Sequence, residues 1–344
     1  MRIAAASAAV GFLFLAAGTS VRAADVKEVG SFHVGGQQLT LQGLPVKDLV
    51  YTAGSAPVKM DPNGDFHTGQ MYVQYVKLNN SRGRYPLLLW HGGGLTGVTW
   101  ETKPDGKPGW QMFFINAGHD VYVSDAMERG RASWSRYPEV YKGEPLFRTK
   151  KEAWEAFRIG LVGSYVTDPA QRKAIPGQNF PLEAFDAFAM QSVPRWVTND
   201  AGTQAAYNAL VAKVCPCVIL THSQGGNFGF NATLAAPDKV KALISIEPSG
   251  APNPETANLA SVKGVPHLIV WGDFIDQVDL WGKNLINGST RYHKAFTELG
   301  GKSEWVSLPA KGIKGNTHML MMDSNSDQVA ELVQKWMTDT GLMK

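Results

Sequence analysis

The chain has 344 residues, 44% hydrophobic and 18% charged, with a formal net charge of +3. That composition argues for a packed globular body and against a disordered chain. No basic block stands out, which argues against nucleic acid or an anionic membrane as a partner.

Met1–Ala23 reads as a secretory signal. Arg2 gives a positive start, Ala8–Ala17 is apolar, and Val21-Arg22-Ala23 resembles an A-x-A cleavage site. The apolar stretch is too short for a stable membrane span, and no later run is long enough. Removing it leaves 31 basic against 30 acidic residues, about +1. The expectation is an exported protein, periplasmic or secreted, with residues 24–344 forming one domain.

Gln70–Leu78 alternates as a strand does. Tyr85–Trp90 ("YPLLLW") is a buried strand that stops at His91-Gly92-Gly93-Gly94. Gly109–Ala117 reads as a helix and His119–Asp125 ("HDVYVSD") as the next strand. Residues 133–198 then break the rhythm. Aromatics such as Trp134, Tyr137, Phe147, Trp154, Phe157 and Trp196 sit among Pro and Pro-Gly signals. This segment is expected to be a cap inserted into the fold; the alternative is ordinary core aromatics.

Gly202–Val214 is an amphipathic helix leading into the strand Cys217–Leu220. The only cysteines, Cys215 and Cys217, flank Pro216. In an extended segment their spacing is near the upper limit for a disulfide, so a strained bridge and two buried thiols both stay open. The spacing is not a zinc signature, and neither a metal nor an organic cofactor is expected.

After Thr221-His222-Ser223-Gln224-Gly225-Gly226 a helix is expected over Asn227–Leu234. The strands Lys239–Glu247 and Pro266–Gly272 follow. A helix over Arg291–Leu299, a short strand Glu304–Leu308 and a terminal helix Asn325–Thr340 complete the chain. Strands alternating with helices imply an α/β fold, with a mostly parallel central sheet covered by helices on both faces.

A serine between strand and helix, followed two residues later by Gly, has the form of a nucleophile elbow, with Thr221 where Gly is usual. Acyl transfer through Ser223 needs a base, an acid that orients it, and donors for an oxyanion. The Gly-rich loop after Trp90 suits the oxyanion hole, with Gly93 or Gly94 as one donor and the Gln224 N–H as the other. Of eight histidines, His318 lies in a Gly-rich loop between the last strand and the last helix, the right place in chain order. His91 is expected to brace the oxyanion loop, and His222 to point away from Ser223. For the acid, Glu247 ends one strand ("SIEPSG") and Asp276 follows the next ("WGDFID"), with Asp273 a weaker third. The residues alone do not choose between Glu247 and Asp276.

The ordered set "GQMYVQY", "HGGGLTGVTWETKPDGKPGW", "VYVSDAMERGRASW", "HSQGG", "IEPSG" and "NTHMLMMD" resembles the α/β-hydrolase superfamily, and within it a branch of secreted bacterial esterases. The motifs are spread over roughly residues 45–340. The resemblance implies Glu247 as the acid beside Ser223 and His318. "AMERGRAS" departs from the "PGRGRS"-like run of relatives, so substrate preference is not carried over. The expected function is a serine carboxylic-ester hydrolase acting on a small-molecule ester with an apolar or aromatic portion, to which Trp281 and Phe274 contribute. A lactonase, amidase or polymer-ester hydrolase would use the same triad. A non-catalytic binding protein on the same fold is the reading from another class. Oligomeric state is not legible.

Overall fold

The computed structural model describes residues 24–344; the signal-like Met1–Ala23 lies outside them. The chain enters on a long strand β1 (Val26–Leu41), passes through a small hairpin β2 (Lys47–Leu49) and β3 (Val58–Met60), and returns along β4 (Gly64–Leu78). β1 and β4 pair antiparallel from Val26↔Leu78 to Leu41↔Gly64. β5 (Leu87–Trp90), the short helix α1 (Val98–Glu101), α2 (Trp110–Asn116) and β6 (Val121–Asp125) follow. The next segment carries α3 (Lys150–Ala156), α4 (Phe185–Ala189) and several single turns, and no strand of the sheet. α5 (Asp200–Val214), β7 (Cys217–His222), α6 (Gln224–Ala235), β8 (Val240–Ile246) and β9 (His267–Trp271) come next. The chain ends with α7 (Ile286–Glu298), β10 (Ser303–Ser307) and α8 (Ser326–Asp339).

The eight-stranded sheet has the order β1-β4-β6-β5-β7-β8-β9-β10. β4 pairs antiparallel with β6, and every pairing from β6 to β10 is parallel. Alternation along the strands divides the apolar residues between the two faces. Leu87, Leu89, Val218, Leu220, Ile244 and Val270 join α2 and α8 in one core. Leu88, Trp90, Ile219, Leu243, Ile269 and Trp271 join α5, α6 and α7 in the other. Helix spacing matches: α5 buries Thr203, Ala206, Tyr207, Leu210 and Val211, one face at 3.6 residues per turn. Tyr207 of that face stacks on Trp90 with ring centroids 4.0 Å apart.

The expected strands and helices are present, with two differences in where helices begin. α6 begins at Gln224, not at Asn227, because Gly225 and Gly226 lie inside its first turn rather than before it. The helix expected from Arg291 begins earlier, preceded by a π-helical turn at Leu280–Leu285. Cys215 and Cys217 are bridged with Cα atoms 4.4 Å apart. The spacing is short because the chain bends at Pro216 instead of running extended.

In the segment expected as a cap, Trp154, Phe157, Phe180, Phe185 and Phe188 pack into the core on the α2/α8 face. Trp134, Tyr137 and Phe147 are more than half exposed. Its aromatics therefore serve the main body as well as the surface.

Candidate active site

Ser223 sits between β7 and α6 with φ 53° and ψ −119°. A side chain at positive φ costs energy and persists only where its surroundings over-determine it. Here its N–H donates to Ile246 O at 3.0 Å, while its carbonyl accepts from Gly226 N at 2.9 Å and Ser249 N at 3.1 Å. The turn also needs missing side chains. A Cβ on Gly225 would lie 2.7 Å from His91 O, and one on Gly226 2.6 Å from Pro248 Cβ. Thr221 is accommodated by the same device. Its methyl faces Gly229, where a Cβ would approach it to 2.7 Å, so the bulk added before the elbow is offset by a glycine in the helix after it.

His318 is fully buried in the loop between β10 and α8. Its Nδ1–H donates to Glu247 Oε2 at 3.0 Å, which leaves Nε2 as the unprotonated nitrogen. Nε2 has no hydrogen-bond partner among the described residues. Burial, and then the charges of Arg158 and Arg148, hold the His318 pKa well below the ordinary histidine value. The loop itself is tied down by Asp323, which accepts from Asn316 Nδ2 at 3.0 Å, Thr317 N at 2.8 Å and Thr317 Oγ1 at 2.8 Å. Burial pushes the Asp323 carboxyl up to about 7.

Glu247, just past the end of β8, also has positive φ, 50°. Its Oε1 accepts from Gly272 N and from Arg158 Nη2, each at 2.6 Å. Arg158 and Glu247 are both fully buried. Such a pair persists only with further hydrogen bonds to both partners, and Arg158 Nε supplies one to Asp273 O at 2.8 Å. Three consecutive residues of the inserted segment thus grip this cluster. Ala156 O accepts from Trp281 Nε1, Phe157 O accepts from His318 N at 2.9 Å, and Arg158 holds the acid. Trp281 lies against the imidazole of His318 with ring centroids 4.1 Å apart.

A cleft of about 220 Å³ opens at Ser223, its walls including Gly92, Gly93, Gln224, Phe157 and Trp281. Gln224 opens α6, so its N–H has no partner within the helix. Its side chain is anchored by Asp200 at 3.0 Å and Arg129 at 3.4 Å. Of the two loop glycines expected as donors, Gly93 lines the cleft. Gly94 takes φ 71° and lies beside the Arg148 guanidinium, its carbonyl accepting from Val193 N at 2.9 Å. Gly92 lines the cleft in addition, and a Cβ there would come 3.0 Å from Ser223 Cβ.

His91 braces the loop as expected: Nδ1–H donates to Gly92 O at 2.8 Å and Nε2 accepts from Ala126 N at 3.0 Å. Burial, followed by the Arg129 charge, lowers its pKa to about 4. The expectation that His222 points away is overturned. Its ring lines the cleft, 4.5 Å from that of His318, and its Nε2–H donates to His318 O at 3.0 Å. Strand alternation ends at Ser223, whose positive φ turns the chain, so neighbours there need not face opposite ways.

The other acid candidates lie elsewhere. Asp276 is exposed, and with Asp273 and Phe274 it lines a separate cleft against Trp305 and Pro309. Phe274 therefore does not join Trp281 at Ser223. Asp273 contributes through its main chain, to Arg158, and through Oδ2, which accepts from Gly315 N at 3.0 Å. Arg158 was not singled out by sequence. The available signal was one arginine inside "EAFRIG", an apolar context where a cation requires a buried partner.

No family model matches the chain. A solved structure described as that of a novel bacterial esterase is 32% identical, covers 92% of this chain and 97% of its own, and superposes with a TM-score of 0.77. A fungal protein described as probable secreted lipase phiG (Fungal sp., strain ATCC 74256) is 26% identical over 333 residues, 79% of this chain and 87% of its own length. The chain belongs to the α/β-hydrolase superfamily. Within it, the chain stands with that bacterial esterase among the carboxylic ester hydrolases. No helix among the described residues is long and apolar enough to cross a membrane.

Proposed function

We propose that the protein is a serine esterase that works through an acyl-enzyme, with Ser223 as nucleophile, His318 as general base and Glu247 as the acid that orients it. The observation that carries this reading is the polarity of His318. Nδ1 is committed to Glu247 while Nε2 is free, the tautomer a general base requires. Its main chain is bonded to His222, the residue before Ser223. His318 Nε2 takes the Ser223 proton as Oγ attacks the ester carbonyl. The N–H groups of Gly92 or Gly93 and of Gln224 hold the oxyanion. The imidazolium then protonates the leaving alcohol, and water activated by the same nitrogen releases the acid.

Residues 133–198 act as the cap, since Phe157 and Ala156 enter the cleft from it. With Leu280, Trp281 and Leu285 they offer an apolar wall for the non-reacting part of a small ester. The signal-like start and a secreted relative support export.

The test is hydrolysis of a chromogenic ester panel by mature protein and by Ser223→Ala, with labelling of both by a serine-directed phosphonate. The variant should lose about 10⁴-fold or more in kcat and resist labelling. Retained activity would place the chemistry elsewhere. An unlabelled, inactive wild type would favour a binding protein on this fold.

A further inference from the structure

The cleft also has a cationic side, which meets the apolar one where the Arg148 guanidinium lies over the Phe157 ring, 4.8 Å from its centroid. Arg148 and Arg195, both from residues 133–198, line it beside Ser223. They overhang the glycine loop: a Cβ on Gly93 would lie 2.9 Å from Arg195 Nη1, and one on Gly94 3.4 Å from Arg148 Nε. Neither guanidinium is used up by the protein. Arg148 Nη1 donates to Glu152 at 2.7 Å, and that acid is 41% exposed. The acid nearest Arg195, Asp200, is 3.9 Å away and already accepts from Gln224 Nε2 at 3.0 Å. Arg195 Nη1 and Arg148 Nη2 donate no hydrogen bond among the described residues, and both Nε atoms are buried without a partner. A third guanidinium, Arg129, stands behind Gln224 and pairs with buried Glu128 at 3.5 Å. Burial first, and then the Arg195 charge, lower the pKa values of Arg148 and Arg129, against the opposing pull of Glu152 and Glu128.

Like charges gathered at the edge of a small cleft, with donors left over, are a cost to the folded protein unless an anion relieves it. In the esterase reading above, main-chain N–H groups serve the oxyanion and leave the arginines another role.

Building on the esterase reading above, we propose that the preferred substrate is a small ester bearing a carboxylate, received by Arg148 and Arg195 while its apolar part lies against Trp281. Guanidinium groups suit this role because their planar fork matches a carboxylate.

The experiment compares matched pairs in wild type, Arg148→Gln and Arg195→Gln. One pair puts the charge on the acyl side: the mono-4-nitrophenyl ester of glutaric acid and its methyl-capped neutral analogue. The other puts it on the alcohol side: 4-acetoxybenzoate and its methyl ester. The readout is the ratio of kcat/KM, charged over neutral, within each protein, so a partly unfolded variant does not alter it. Wild type should favour the charged member of one pair by about ten- to hundredfold. Each variant should lose most of that preference through KM, and salt should weaken it in wild type alone. Which pair responds tells which side of the ester carries the charge. A wild type that hydrolyses the neutral esters as well as the charged ones in both pairs overturns this inference and leaves the esterase reading intact. A preference that survives both substitutions also overturns it. Variants that lose both members equally through kcat would make these arginines oxyanion donors instead. Turnover of neither pair by wild type defeats the inference and the esterase reading together.

Discussion

Two neighbouring strands, β8 and β9, each end in a loop with a carboxylate, and the two loops have diverged. After β8, Glu247 is fully buried at positive φ, with both oxygens occupied. After β9, Asp276 is exposed on the rim of a different cleft. The β9 loop still serves Glu247, through its main chain. Gly272 N donates to Glu247, and Asp273 O receives the arginine that pairs with it. The difference teaches that the position of an acid along the chain does not decide its role. What decides is which carboxylate the surrounding donors converge on.

Breaking the brace between the two loops should have the larger effect. Arg158→Met removes the cation from Glu247 and frees Asp273 O, so kcat should fall about tenfold to hundredfold through loss of alignment. The pH profile supplies a readout that mere loosening would not move. As the proposed general base His318 must be neutral, and its pKa is depressed by burial and by the Arg158 and Arg148 charges, so the acid limb of kcat/KM should lie below the ordinary histidine value of about 6.5. Removing a neighbouring cation makes the imidazolium easier to form. The inactive form then persists to higher pH, and the limb should move upward in Arg158→Met. An unmoved limb would mean that Arg158 does not act on His318 electrostatically.

A smaller effect is expected from Gly272→Ala. The added methyl would lie 2.9 Å from Glu247 Oε1 and 2.8 Å from Asn316 O, which presses on the acid and on the loop carrying His318. Steady-state kinetics should show kcat reduced about tenfold with KM little changed, since a small displacement of reacting groups is felt mainly in the chemical step. Wild-type kinetics would show that the β9 loop yields without consequence.

Much of this was legible in the sequence where pattern and chemistry coincide. The buried strands, the elbow at Ser223 and the histidine loop before α8 all carry short-range signals. β1 was not, because most of its residues are exposed or half-exposed and Gly35 and Gly36 interrupt its alternation. The start of α6 was misread because glycines look like breaks, although here they permit close approach to His91 and Pro248. The proposed choice of Glu247 over Asp276 could not come from pattern, since both follow strands. It depends on Arg158 and Gly272, which reach Glu247 across 89 and 25 residues of chain. Contacts of that range are invisible to local spacing.

The most direct measurement is kcat/KM of Glu247→Gln beside Asp276→Asn, on an ester that wild type hydrolyses. Glu247→Gln should lose about 10³- to 10⁴-fold, because an amide neither fixes the His318 tautomer nor stabilises its imidazolium. Asp276→Asn should stay within about threefold of wild type, as a surface substitution away from the chemistry does. The reverse pattern, with Glu247→Gln nearly active and Asp276→Asn inactive, would contradict the account.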